Sequence, residues 1–175
     1  RIENRVDIDE RPAVVAQRSW IGDWEGDTII GKDRQSALLT MVERKTLYTV
    51  IIRLMGKHAD LLAQAAIKGM KALKNRIKTI TFDNGLEFSE HEKIAHALDA
   101  DIYFAHPYAS WERGINENTN GLIRQYFPKG TDFNVVSDKA IQHVMDRLNN
   151  RPRKTRDCRS PNELFRGLRV ELLAA

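Results

Sequence analysis

The chain has 175 residues, 42% of them hydrophobic, and its 28 Lys and Arg against 24 Asp and Glu give a formal net charge of +4. That is enough for one domain with a real core, and no run of it reaches the ~18 apolar residues that a membrane-spanning helix needs. Cys158 is the only cysteine, which excludes an internal disulfide framework, and a sequence pI of about 9.3 favours a polyanionic partner.

In chain order, residues 1–20 mix charges with Pro12 and keep no period, so they are expected to be a lead-in or linker that packs only at its end, through Trp20 and Ile21. One domain is expected over 21–175. Arg1 stands where a start Met would, so the chain is expected to be a piece of something longer; it shows no signal-peptide pattern, and the expected location is cytoplasmic. Three runs rich in branched residues, Asp23 to Gly31, Ser36 to Val42 and Leu47 to Leu54, predict three antiparallel strands, the last two joined by a turn at Glu43-Arg44-Lys45-Thr46. From Lys57 to Leu73 the period changes, with Leu61, Leu62, Ala65, Ala66 and Met70 on one helical face. Arg76 to Asp83 predicts a strand, Ser89 to Leu98 a helix and Asp101 to Ala105 another strand, an alternation that suits parallel strands joined through helices. Helices are predicted again over Glu112 to Tyr126 and Ser137 to Asn149. Ser160-Pro161-Asn162-Glu163 places a cap serine, a proline at the first helical position and a glutamate three after the cap, which opens a last short helix.

Three acids in three different kinds of segment carry the chemistry. Asp27 lies in Trp24-Glu25-Gly26-Asp27-Thr28-Ile29-Ile30, where strand alternation puts Asp23 and Glu25 on the same face and does not choose among them. Asp27 has the better position, since a carboxylate among Gly26, Thr28, Ile29 and Ile30 is costly without a cation or hydrogen bonds. Asp83 ends a strand before an Asn84-Gly85 turn that lets it project from the sheet. Glu117 rides a helix, and at ~100° per residue Arg113, Asn120, Gly121 and Arg124 fall within about 60° of it. Three converging carboxylates make a divalent-metal site, and oxygen-only ligation points to Mg²⁺ or Mn²⁺. Two such ions about 3.5–4 Å apart can activate a water or hydroxyl on one side of a phosphodiester and stabilise the leaving oxygen on the other. Near the C-terminus, Arg151, Arg153, Lys154, Arg156 and Arg159 put five cations within ten residues, either a solvated loop or a patch that meets phosphate.

Trp24-Glu25-Gly26-Asp27, Thr81-Phe82-Asp83-Asn84-Gly85-Leu86-Glu87-Phe88 and Trp111-Glu112-Arg113-Gly114-Ile115-Asn116-Glu117-Asn118 resemble the three catalytic motifs of the DDE transposase and integrase superfamily, and most nearly those of the insertion-sequence-thirty family of bacterial transposases. The 33 residues between Asp83 and Glu117 are a spacing typical of that family, and the likeness runs from Glu10-Arg11-Pro12 to Leu148-Asn149-Asn150-Arg151-Pro152-Arg153-Lys154. The resemblance implies an α/β, ribonuclease-H-like (retroviral-integrase-type) core, with a mixed five-stranded sheet, helices on both faces and a helical C-terminal extension. It implies that Asp27, Asp83 and Glu117 are the catalytic metal ligands, with two Mg²⁺ (or Mn²⁺) per active site, and it withdraws Asp23 and Glu25 from that role. Arg124 matches a basic position that such enzymes place near DNA.

The activity so implied is cleavage of DNA at transposon ends followed by strand transfer to a target, with a homo-oligomer, dimer or larger, holding two ends together. The family's N-terminal helix-turn-helix region is absent from these residues, so an isolated catalytic domain is expected. Arg113, Lys129, Arg151, Arg153 and Lys154 are read as phosphate contacts. Asn84 caps its turn or supports Asp83 from behind, and His106 contacts DNA, orients a metal-bound water or, more plainly, makes a structural hydrogen bond. Trp111 is read as a packing side chain, with base stacking as the alternative. Two competing readings are a structure-specific nuclease of the same fold, and a non-catalytic DNA-binding domain whose acids are solvated or pair with arginines.

Overall fold

Every residue of the strand Ala37–Glu43 is buried, which is the mark of a central strand covered on both faces. It is β2 of a five-stranded sheet formed by β1 (Asp23–Ile30), β2, β3 (Thr49–Leu54), β4 (Thr79–Phe82) and β5 (Asp101–Phe104), in the spatial order β3-β2-β1-β4-β5. The computed structural model describes residues 1–56 and 58–167, so the helix start expected at Lys57 and residues 168–175 of the expected domain lie outside the described residues. β1, β2 and β3 form an antiparallel meander, and β4 and β5 join parallel to β1, so the sheet is mixed as expected. The helices are α1 (Ala59–Met70), α2 (His91–Leu98), α3 (Gly114–Tyr126), α4 (Asp138–Asn150) and α5 (Pro161–Arg166).

Alternation along β2 sorts the core into two halves. Ala37, Leu39 and Met41 pack with Leu62, Ala66 and Met70 of α1 and Ile94 and Leu98 of α2 on one face. Leu38 packs with Ile123 of α3 and Ile141, Val144 and Leu148 of α4 on the other. Both faces therefore carry helices. α1 ends sooner than the apolar period suggested, because Lys71–Arg76 tightens into a 3-10 turn that delivers the chain to β4. At α5 the expected capping box is present: the Ser160 hydroxyl accepts from the Glu163 N–H at 3.2 Å, and the Glu163 carboxylate accepts from the Ser160 N–H at 3.3 Å.

The N-terminal segment differs from expectation. Ile2 and Val15 are buried whereas Trp20 is exposed, and Asp7 bridges in parallel to Phe104, with the Phe104 N–H donating to the Val6 carbonyl at 2.9 Å. The segment runs along the open edge of β5 and covers it. Its scattered apolar residues sit on an irregular path, which leaves no period to read.

Gly26 marks a close approach beneath the candidate site. A Cβ there would lie 2.3 Å from Cε1 of Phe82 and 3.1 Å from the Met41 sulfur. Gly26→Ala is expected to destabilise the fold by about 1–3 kcal/mol through overpacking, read as a lower urea midpoint with unchanged slope.

Candidate active site

Extending the parallel register of β1 and β4, in which Glu25 lies beside Thr81, brings Asp27 level with Asp83 just past the end of β4. Both carboxylates reach one guanidinium: Arg113 Nη1 lies 3.2 Å from Asp27 Oδ2 and Nη2 lies 3.7 Å from Asp83 Oδ2. Asp27 is held further by the Thr28 N–H, which donates to Oδ1 at 2.8 Å, and by Asn120 Nδ2, which donates to Oδ2 at 3.0 Å. Asn120 is itself oriented by the Thr40 hydroxyl, which donates to its Oδ1 at 3.0 Å from the strand position directly opposite Asp27. Burial pushes the Asp27 carboxyl pKa up; the Arg113 charge opposes that and the Asp83 charge adds to it.

Asp83 closes its own turn by accepting the Gly85 N–H at 3.0 Å. Asn84 anchors that turn on both sides, donating to the Ala105 carbonyl and accepting from Arg5, while Arg11 donates to the Thr81 hydroxyl at 2.9 Å. The N-terminal segment thus braces the Asp83 loop. A groove of about 440 Å³ opens between Asp83-Asn84-Gly85 on one wall and His106 to Ser110 with Arg113 on the other.

Glu117 is not gathered with the aspartates. The buried stripe of α3 is Ile115, Asn116, Thr119 and Ile123, and Glu117 is exposed in a shallow groove with Gly114, Asn118 and Gly121. Asn120, which touches Asp27, lies ~60° round the helix from Glu117. The expected cage of three carboxylates is therefore not assembled, and no group of three His, Cys, Asp or Glu among the described residues is placed to hold a metal. Asp27 and Asp83 nonetheless suit one: two hard oxygen ligands converge on a single cationic group, the arrangement a divalent ion would need from them.

His106 makes structural hydrogen bonds. Its Nδ1 lies 2.8 Å from Glu112 Oε1 and its Nε2 3.0 Å from Asp9 Oδ2, while its backbone N–H donates to Glu112 Oε2 at 2.8 Å. These hydrogen bonds, to Glu112 first and Asp9 second, raise the imidazole pKa. A pKa raised in the fold contributes stability that is full below the unfolded value of about 6.5 and is lost as pH rises through the folded value. His106→Gln is expected to lower the melting temperature at pH 6 and to leave it nearly unchanged at pH 9.

Two arginines expected on DNA are committed elsewhere. Arg153 is only 7% exposed and donates from Nη2 to the Leu148 carbonyl at 3.1 Å, tying the end of α4 to the following loop. Arg124 donates from Nη2 to the Ile30 carbonyl at 2.7 Å and from Nη1 towards the Phe127 and Pro128 carbonyls, so it staples the end of α3 to the end of β1. Lys129, Arg151 and Lys154 are exposed. Trp111, expected to pack, is 76% exposed. The site residue missed from sequence is Thr40, while Asn120, read on the polar face around Glu117, holds Asp27 instead of meeting phosphate. Thr40 did leave a signal, as the lone polar residue in Ala37-Leu38-Leu39-Thr40-Met41-Val42.

No protein-family model matches the chain. The transposase for insertion sequence element IS4351 of Bacteroides fragilis is 52% identical over 165 residues, covering 94% of this chain and 51% of that protein. Transposase InsI for insertion sequence element IS30A of Escherichia coli (strain K12) is 40% identical over 165 residues, covering 94% of this chain and 43% of that protein. The chain thus spans about half the length of the curated relatives it matches. Among solved structures, the simian T-cell lymphotropic virus intasome in complex with PP2A regulatory subunit B56 gamma matches with a TM-score of 0.68 at 18% identity, over 88% of this chain and 57% of that chain. The catalytic core domain of BIV integrase matches with a TM-score of 0.63 at 16% identity, over 85% of this chain and 95% of that chain. The latter two speak for the fold, which is the ribonuclease-H-like core of the integrases. Along most of its length, at identities of 38–52%, the chain is homologous to transposases of IS30-type and other insertion sequences.

Proposed function

We propose that this chain is the catalytic domain of a DNA transposase, a polynucleotidyl transferase that cleaves DNA at element ends and joins the freed 3′-hydroxyl to a target strand. The observation that carries the reading is the convergence of Asp27 and Asp83 on one cationic group, on a chain homologous to transposases over 94% of its length. Asp27 and Asp83 would hold Mg²⁺ or Mn²⁺, with Glu117 completing the set, two ions per site. When bound, the ions would supply positive charge at the phosphodiester and a more nucleophilic water or hydroxyl.

The protein's own groups do the rest. Thr28 and Asn120 fix the direction of the Asp27 carboxylate, and Asn84 fixes the loop that presents Asp83. Arg113, Lys129, Arg151 and Lys154 would hold phosphates, which needs only positive charge at the right surface. Arg124 and Arg153 would shape that surface through their backbone contacts instead of touching DNA. The active complex would be a homo-oligomer on transposon-end and target DNA. We place it in the cytoplasm, at the nucleoid when bound; no helix among the described residues is long and apolar enough to cross a membrane.

The test supplies full-length protein carrying this domain with end-containing DNA and Mg²⁺ or Mn²⁺, and resolves cleaved from joined products. Joined strands are expected from the wild type and none from Asp83→Asn. Undiminished joining in that variant would sink the assignment, and cleavage without joining would favour a structure-specific nuclease. One observation favours a non-catalytic reading, the pairing of both aspartates with Arg113. Under that reading millimolar Mg²⁺ or Mn²⁺ leaves the melting temperature unmoved, whereas a site that binds only the folded state raises it.

A further inference from the structure

We propose that Arg113 is a displaceable counter-cation: its guanidinium holds Asp27 and Asp83 together before metal arrives, and a divalent ion entering between the same carboxylates expels it. The inference rests on the metal reading of those two aspartates. Two carboxylates left facing each other across a partly buried site repel, and a cation between them relieves that repulsion. Arg113 supplies it, but poorly. It spans the pair with one nitrogen at 3.2 Å and the other at 3.7 Å instead of forming the parallel fork that makes arginine pairs strong. Its Nε is buried and has no hydrogen-bond partner. One guanidinium also leaves a net negative charge on two carboxylates, which a divalent ion would neutralise in full.

The place of Arg113 in the chain makes release cheap. It sits between a 3-10 turn at Ser110–Arg113 and α3, in a non-helical conformation with φ −129° and ψ 38°. The next residue is Gly114, around which a Cβ would meet nothing. Asp27 keeps its bonds to the Thr28 N–H and to Asn120 whether or not Arg113 stays. A guanidinium and a divalent ion drawn to the same two carboxylates repel each other, so the two binding events oppose each other by a fixed coupling. The expelled arginine would remain beside the groove that Asp83 and Arg113 line, where a phosphodiester would meet it. Four residues further on, Glu117 rides the helix that Arg113 no longer tethers.

The experiment is Mn²⁺ binding to the protein, followed by loss of the free-ion EPR signal, with no DNA and no turnover. Arg113→Gln is expected to tighten Mn²⁺ binding by about tenfold or more, because the competing charge is gone. Arg113→Lys keeps the charge on a single ammonium that cannot span both carboxylates. It is expected to fall between wild type and glutamine, and it carries the test should the glutamine variant fail to fold. Asp83→Asn is expected to weaken Mn²⁺ binding. Affinity at or below wild type in the folded Arg113 variants, with Asp83→Asn weakened, overturns the displacement proposal alone. Wild-type Mn²⁺ affinity in Asp83→Asn overturns the metal reading and this inference with it.

Discussion

Asp27→Asn is expected to cut strand transfer by roughly 10³-fold or more while moving the unfolding free energy by only about 1 kcal/mol. The two effects separate because the carboxylate and its surroundings want different things. Burial is the largest influence on Asp27 and opposes its charge. Asparagine removes that charge, keeps the shape and can still accept the Thr28 N–H. Arg113 loses one partner in the exchange but keeps Asp83 within reach. A group whose charge the fold resists, and which the fold nonetheless surrounds with Thr28, Asn120 and Arg113, is better explained by chemistry than by stability. Transfer assays on the full-length protein and urea unfolding of the same variant check both halves. Full activity would remove Asp27 from the site, and a loss of several kcal/mol would make it a structural residue.

Much of the fold was legible because strands and helices here keep clean periods. β2 and β3 could be placed from their branched runs, α4 from its apolar stripe at Ile141, Val144 and Leu148, and α5 from Ser160, whose hydroxyl does cap the helix. What escaped was set by tertiary contact. Residues 1–20 carry no pattern because they follow the edge of β5 irregularly, held by single side chains such as Arg5, Asp9 and Arg11. The face of α3 was misjudged for a related reason. Asn116 and Thr119 look like surface residues but are buried against the sheet, where buried polar groups of β1 and β2 await them: the Asn116 N–H donates to Glu25 at 2.9 Å. Counting polar residues centred the exposed face on Glu117, and the helix instead turns its Asn116 and Asn120 edge to the acids. Charge density near the C-terminus had a similar ambiguity, since an arginine that ends a helix and one that meets phosphate look alike until burial separates Arg153 from Arg151.

Glu25→Ala is expected to cost about 3–5 kcal/mol, the largest loss of stability for a single side chain near the site. Glu25 and Arg44 form an ion pair whose side chains are 1% and 6% exposed. Burial raises the carboxyl pKa and lowers that of the guanidinium, so the fold opposes both charges and the pair survives because each partner answers the other. Removing the carboxylate strands Arg44, whose Nε already lacks a partner, and frees the Asn116 N–H in the first turn of α3. The double variant Glu25→Leu with Arg44→Met removes both charges and should be clearly less destabilised than Glu25→Ala in a linear-extrapolation unfolding series. A double variant as unstable as the single would mean that the lost tether to α3, not the orphaned charge, dominates. In either case Mn²⁺ affinity should fall with Glu25→Ala, because Asn120, which orients the Asp27 carboxylate, is positioned by the same end of α3 that Glu25 secures. Glu25, two residues before Asp27 on β1, would thus act on the site through the helix.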